Sequence, residues 1–251
     1  MSREVLLETI NIWKKFGGLV ALRDVNIKIF KGELLGIIGP NGSGKTTLYN
    51  VITGFLKPDK GKVIFTGKEI TGMPPHEIAK MGVVRTFQLV KPFMGMSVLD
   101  NVRVALYMRY GLFSSVSESE ILREAREILE AVKLLHRVDV TADSLSHGEK
   151  KKLEIGRALA LKPKVLLFDE PTGGLTPTEM DEIIELIKQL HDWGMTIAVV
   201  EHNMRVIMNV SERLIAMNNG MVIAEGDPRE VVSNPEVIKA YLGERFAVKG
   251  K

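Results

Sequence analysis

The sequence predicts an α/β fold: a mixed sheet, an antiparallel β part at the N-terminus and an inserted α-helical region. Three observations carry that prediction. The apolar run Leu34–Ile38 leads into Gly39-Pro40-Asn41-Gly42-Ser43-Gly44-Lys45-Thr46-Thr47 and then into the helix-like Leu48–Ile52. A second apolar run, Val165–Phe168, ends on Asp169-Glu170. Between them, Ser97 to about Leu135 reads as helical. Short apolar runs bounded by turn residues have the character of buried parallel strands.

Taken in order, Val5–Ile10 is the first strand, and Trp13–Gly18 is a turn that carries Phe16. Val25–Ile29 alternates apolar and polar residues, as a half-buried strand does. Pro58–Gly61 turns into the strand Lys62–Phe65, and Met81–Gln88 is a strand that ends on a glutamine. Ser97 with Asp100 and Ser117 with Glu120 resemble capping boxes, and Gly111–Ser115 separates the two helices they start. Pro177, after Thr176, opens a long helix. Thr196–Val200 is a buried strand running into Glu201-His202, and Asn219-Gly220 signals a hairpin. Asp227-Pro228 and Asn234-Pro235 start two closing helices. These elements predict one domain over residues 1–251, with a core of about 1–88 and 150–251 and a helical subdomain of about 89–149.

Composition narrows the function classes. Hydrophobic residues make up 45% and charged residues 26%, as in ordinary globular chains. The net charge of +3 (34 basic, 31 acidic) is too small to argue for a nucleic-acid partner. With no cysteine there is neither a disulfide framework nor a thiolate metal site. No apolar run approaches the ~20 residues of a membrane span, and Met1–Glu4 lacks the layout of a signal peptide. The expected location is cytoplasmic, with membrane attachment only through a partner.

The run Gly39–Thr47 fits G-x-x-x-x-G-K-[ST]. Glycines let the backbone approach a phosphate, and successive N–H groups at a helix start bind an anion. Lys45 would reach the β- and γ-phosphates, and the Thr46 hydroxyl would hold Mg²⁺. In such a protein, a buried strand that delivers Asp169 places a carboxylate beside the metal, and Glu170 is poised as general base toward a water. Leu145-Ser146-His147-Gly148-Glu149 leaves two readings open: a helix capped by Ser146 and Glu149, or an anion site at that helix start.

The phosphate loop, the Leu145–Glu149 segment and the Val165–Glu170 strand stand in the order and spacing of the ATP-binding cassette (ABC) ATPases. The chain resembles that family along nearly its whole length. The resemblance implies a P-loop NTPase core, ATP and Mg²⁺ as ligands, and ATP hydrolysis. The family signature is usually Leu-Ser-Gly-Gly-Gln; here His147 and Glu149 replace its first Gly and its Gln. Phe16, 29 positions before Lys45, matches the aromatic that stacks on adenine, with Trp13 as a nearby rival. Gln88 matches the glutamine that senses Mg²⁺ and the γ-phosphate, and His202 the switch histidine. Gly173–Pro177 matches the loop between the two nucleotide sites, with Thr176 in place of the usual acidic or amide residue.

The same resemblance implies a head-to-tail dimer in which the phosphate loop of one subunit faces the Ser146, His147, Gly148 and Glu149 of the other. On that account the helix after Ser146 has no local charged partner and keeps its start for the nucleotide. Within the family, the runs Phe16–Leu19, Val84–Gln88, Leu153–Leu159, Val200–Met204 and Ala240–Gly243 are most similar to ATPases of branched-chain amino acid importers. Lipopolysaccharide export ATPases share part of this pattern. The implied partners are integral-membrane permease subunits, a second cassette ATPase, alike or different, and indirectly an extracytoplasmic binding protein. The implied place is the cytoplasmic face of the membrane. The apolar stretch Leu89–Met96 would dock the permease, or else is an ordinary packed loop. A soluble cassette acting on ribosomes or DNA usually carries two cassettes or a coiled-coil insertion, and only 57 residues separate Gln88 from Ser146. A scaffold without turnover fits poorly with Lys45, Asp169, Glu170 and His202 all in place.

Overall fold

The structure is a computed structural model that describes residues 3–88, 91–111 and 115–248. Two long antiparallel strands open the chain, β1 (Val5–Phe16) and β2 (Leu19–Phe30). They are followed by β3 (Leu34–Ile38), helix α1 (Lys45–Ile52), β4 (Lys60–Phe65), β5 (Lys68–Glu69), α2 (Pro75–Met81) and β6 (Val83–Arg85). Helices α3 (Val98–Tyr110), α4 (Glu118–Ala131) and α5 (His147–Ala160) come next. The chain then alternates through β7 (Val165–Asp169), α6 (Pro177–Asp192), β8 (Thr196–Val200) and α7 (Met204–Val210). It closes with β9 (Arg213–Asn218), β10 (Met221–Gly226), α8 (Pro228–Ser233) and α9 (Pro235–Val248).

The strands form two sheets. One is antiparallel, in the order β2-β1-β4-β5. The other is mixed, in the order β10-β9-β3-β8-β7-β6, with β10 antiparallel to β9 and the remaining neighbours parallel. Side chains of a strand alternate between its two faces, and both faces of this sheet are covered. Leu34, Ile38, Leu166, Phe168, Ile197 and Val199 pack in one core with residues of α3 to α6. Leu35, Ile37, Val165, Leu167, Ala198 and Val200 pack in a second core with α1 and the antiparallel sheet. Double coverage is why β3, β7 and β8 read as unbroken apolar runs.

Several predicted boundaries move: β2 begins at Leu19, not Val25, and two other changes bear on the site. Trp13–Phe16 is strand, not turn, because β1 stays paired with β2 as far as Phe16↔Leu19; the turn is Gly17-Gly18 alone. The strand expected over Met81–Gln88 is only Val83–Arg85. Met81 ends α2, Gly82 (φ 110°) reverses the chain, and β6 is an edge strand that pairs with β7 for three residues. Gln88 therefore sits in the loop beyond the sheet. Helices α2 and α7 were not anticipated. The Ser117–Glu120 box is complete, whereas Ser97 caps α3 by accepting from Asp100 N and donates its own hydroxyl to Asp100 Oδ2 in place of the reciprocal backbone bond; Asn219 (φ 47°) and Gly220 (φ 77°) make the hairpin turn.

This topology positions the site. Strands β3, β8 and β7 are adjacent and parallel, so the loops after Ile38, Val200 and Asp169 all leave one edge of the sheet. Carboxyl-end edges of this kind are where ligands bind in α/β sheets.

Candidate functional site

Helix α1 begins without a side-chain cap. Its N-cap is Gly44 (φ 104°), and its first turn holds no acidic residue. Two glycines are fixed by their surroundings. A Cβ on Gly39 (φ 153°) would collide with the Met217 carbonyl oxygen, and one on Gly44 would lie 2.7 Å from the Ala21 carbonyl oxygen. The Gly39 N–H donates to the Tyr241 hydroxyl at 2.9 Å. Lys45 is buried, and its ammonium donates to the carbonyls of Gly39 (2.6 Å) and Pro40 (3.0 Å).

A cleft of about 640 Å³ opens over this loop, lined by Phe16, Asn41, Gly42, Ser43, Gly44, Lys45, Thr46, Thr47 and Glu170. Gly39 and Pro40 lie buried beneath it. Phe16 is half exposed at the end of β1 and lines the cleft. Asp169 ends β7, fully buried, with Oδ2 accepting from Arg85 at 2.5 Å. Its Oδ1 is buried without a hydrogen-bond partner. Thr46, Gln88 and Asp169 line one further cavity of about 620 Å³. An orphaned carboxylate oxygen on a residue that lines the same cavity as Thr46 fits Mg²⁺, which takes few protein ligands and completes its shell with water and phosphate oxygens.

Glu170 follows directly, at φ 49°. A left-handed backbone is strained for a residue with a side chain, and such strain gathers at functional sites. It is held by the Glu170 N–H donating to Val200 O (2.9 Å) and the Gly173 N–H donating to Glu170 O (3.1 Å). Two groups converge on one oxygen of this carboxylate. Gln88 Nε2 donates to Oε2 at 2.6 Å, and His202 Nδ1 lies 3.7 Å from the same atom. Residues 88, 170 and 202, far apart in the chain, thus meet at the mouth of the phosphate loop.

The Leu145–Glu149 segment stands apart from both cavities. Ser146 caps α5 by accepting from Glu149 N, and the Glu149 carboxylate returns to Ser146 N while pairing with Arg137. The start is not without a local charged partner, contrary to the sequence expectation. Glu179 Oε1 on α6 accepts from Gly148 N (3.0 Å) and Ser146 Oγ (3.3 Å). The distance of 31 residues between Gly148 and Glu179 hid this contact from the sequence. His147 Nε2 lies 3.3 Å from the Gly173 carbonyl.

Sequence reasoning passed over four further side chains. Arg85 joins Asp169 to Asn50 (2.6 Å) and stacks on Tyr49 and Phe87. Lys151, the middle of three lysines, is buried and donates to Gln88 O at 2.9 Å. Burial holds its pKa below the ordinary lysine range, against the pull of nearby carboxylates. Tyr241 reaches the phosphate loop from the last helix. Glu201 is the fourth. A lysine run reads as a solvated face, and nothing in it marks Lys151 and Lys152 as buried.

Comparison with known proteins agrees with this geometry. Residues 22–173 match the family model for ABC transporters, and residues 221–247 match the model for the branched-chain amino acid ATP-binding cassette transporter. The chain is 40% identical to the high-affinity branched-chain amino acid transport ATP-binding protein LivG of Escherichia coli, covering 95% of this chain and 98% of the relative. It is 43% identical to a probable LivG of Archaeoglobus fulgidus, covering 95% of each chain. Among solved structures it is similar to the ATP-binding cassette MJ1267 in its ADP conformation, with TM-score 0.86, 41% identity and coverage of 95% and 99%. It is also similar to the cassette MJ0796 in a dimeric post-hydrolysis state bound to ADP and Pi, with TM-score 0.79, 30% identity and coverage of 89% and 99%. The chain belongs to the ABC transporter family, as an ATP-hydrolysing cassette.

Proposed function

We propose that this chain is the energy-coupling ATPase subunit of an importer for branched-chain and other hydrophobic amino acids. The observation that carries the catalytic reading is the convergence of Gln88 and His202 on one oxygen of Glu170 beside the phosphate loop. The substrate class rests on the full-length likeness to LivG proteins.

In this reading Phe16 stacks on the adenine and the loop Gly39–Thr47 wraps the phosphates. Lys45 leaves its carbonyl partners for the β- and γ-phosphates. Thr46, Asp169 and Gln88 would hold Mg²⁺, which when bound would neutralise charge on the phosphates. Glu170 accepts a proton from a water oriented by the Gln88 amide; the water oxygen bonds to the γ-phosphorus as the bond to the bridging oxygen breaks and ADP leaves, while His202 faces the γ-phosphate. The partner subunit's Ser146, with its following helix start, closes the site from the other side of a dimer. Glu179 vacates Gly148 N and Ser146 Oγ as the γ-phosphate takes its place.

The domain division at about residues 89–149 is part of the proposal, as is the place on the cytoplasmic face beside two permease subunits and, behind them, a binding protein. No helix among the described residues is long and apolar enough to cross a membrane, which leaves the crossing to partners. The second cavity, lined by Phe87, Gln88, Lys91, Met108 and Arg157, supports docking of a permease helix there. Phe93 and Met94 are exposed nearby, while Leu89 and Val90 of the predicted docking stretch lie outside the described residues. The test is uptake of labelled leucine by cells lacking this chain. The wild-type chain restores it, and Phe93→Asp lowers it several-fold while basal ATP hydrolysis stays within about 2-fold, as expected when a contact outside the reacting groups is lost. Restoration of no amino acid uptake by the wild type removes the substrate class. Equal loss of uptake and hydrolysis in Phe93→Asp removes the docking surface.

A further inference from the structure

Glu201 follows β8 and is completely buried. Its two carboxylate oxygens serve two different segments. Oε1 accepts from the Thr172 backbone N–H (3.0 Å) and from the Thr172 hydroxyl (2.5 Å). Oε2 accepts from the backbone N–H groups of His202 (3.2 Å) and Asn203 (3.4 Å). Four donors therefore close on one acceptor-only group. Thr172, itself buried, lies in the loop between Glu170 and α6, two residues past the carboxylate that Gln88 and His202 approach. The next residue, Gly173, donates its N–H to Glu170 O and presents its carbonyl to His147.

We infer that Glu201 is a positioning residue for the hydrolytic site: it fastens the Thr172 loop to the His202 turn and so sets the distance between Glu170 and His202. The two segments have a second link, the Glu170 N–H donating to Val200 O, which fixes the base of the pair. That link lies before the strained turn at Glu170, and the carboxylate of Glu201 lies after it. A backbone held at φ 49° at Glu170 relaxes unless the chain is anchored on both sides. Buried polar groups act in this way only when every donor is answered. An amide at this position would turn an NH₂ group toward one of the two donor sets and release one segment.

This inference rests on the roles proposed for Glu170 and His202, and the experiment separates the two. ATPase kinetics are measured for Glu201→Gln, His202→Ala, Glu170→Gln and the double variant Glu201→Gln/His202→Ala, alongside binding of a non-hydrolysable ATP analogue. The expected result for Glu201→Gln is a fall in kcat of about 10-fold or more, because misplacement of a catalytic group by a fraction of an ångström costs on that order. KM and analogue affinity stay within about 2-fold, since the phosphate loop is untouched. In the His202→Ala background the same substitution adds no more than about 2-fold, because the two act as a unit. Full multiplication of the two losses overturns the inference, as does a wild-type kcat in Glu201→Gln. Wild-type rates in His202→Ala and Glu170→Gln overturn the underlying reading instead. Should Glu201→Gln not fold, Thr172→Val reports on the same hydrogen bond. A kcat loss in Thr172→Val that Thr172→Ser restores supports the inference, and unchanged kcat in Thr172→Val overturns it.

Discussion

Helices α1 and α5 begin in similar sequence, a small-residue turn followed by a polar first turn, yet their starts are opposite in chemistry. A helix start carries unsatisfied N–H groups and partial positive charge. At α1 the cap is a glycine, with no side-chain cap hydrogen bond, and the first turn has no acid. At α5 three side chains do: Ser146 caps, Glu149 completes the box, and Glu179 arrives from α6. Hydrogen bonds from Thr176 and from Gly148 N hold the Glu179 carboxyl below its ordinary pKa, so it is an anion at neutral pH. One start has a glycine cap and no acid of its own, the setting in which an anionic ligand binds. The other is occupied by an anion of the protein's own.

The sharpest way to extend this contrast is at the carboxylate beside the glycine-capped start. Glu170→Gln should lower kcat by about 10²–10⁴-fold, the usual worth of a general base. Nucleotide binding, measured with ATP at equilibrium, should be retained. Turnover at the wild-type rate would take the reacting water away from Glu170.

Next comes the glycine-capped start itself. Lys45→Ala should weaken ATP binding by roughly 10–100-fold, the loss expected from one charged hydrogen-bonding group. Calorimetric titration checks it. In the structure Lys45 is tied to Gly39 O and Pro40 O, so the variant should also lose some thermal stability of the loop.

The smallest effect is expected at the occupied start. Ser146→Ala should cost about 1 kcal/mol of stability, as loss of an N-cap does. It should leave ATP affinity of the isolated chain within about 2-fold, because Ser146 lines neither cavity there. Thermal unfolding and titration of the same sample measure both. If Ser146→Ala weakened ATP binding as much as Lys45→Ala, the two helix starts would be alike and the contrast would fail.

Much of the site could be read in advance because its chemistry lies in short contiguous runs. Gly39–Thr47 is loop and helix start together, and Val165–Glu170 is a strand with its cargo at the end. Gln88 and His202 were placed by resemblance alone, since a single amide or imidazole at the end of an apolar run carries no pattern of its own. The extent of β1 was misread at Trp13–Phe16 because pairing with β2 as far as Phe16 outweighs local turn character. Gln88 was placed on a strand that stops three residues earlier, at Arg85, because edge pairing with β7 runs out.

By itself the sequence determined the period of each element: apolar runs for strands buried on both faces, the capping box of α4, Pro177 at the start of α6, Asn219-Gly220 for the hairpin, and the phosphate loop. These are local, set by backbone sterics and by hydrogen bonds spanning a few residues. Only the tertiary structure decided which distant groups share an atom. Arg85 and Asp169 form an ion pair buried on both sides, Gln88 meets Glu170 across 82 residues, and Glu179 fills the start of α5. Lys151 and Glu201, unremarkable charges in the chain, became buried anchors of two loops. Their positions follow from the order in which parallel strands pair, a long-range choice made by burying both faces of the sheet at once.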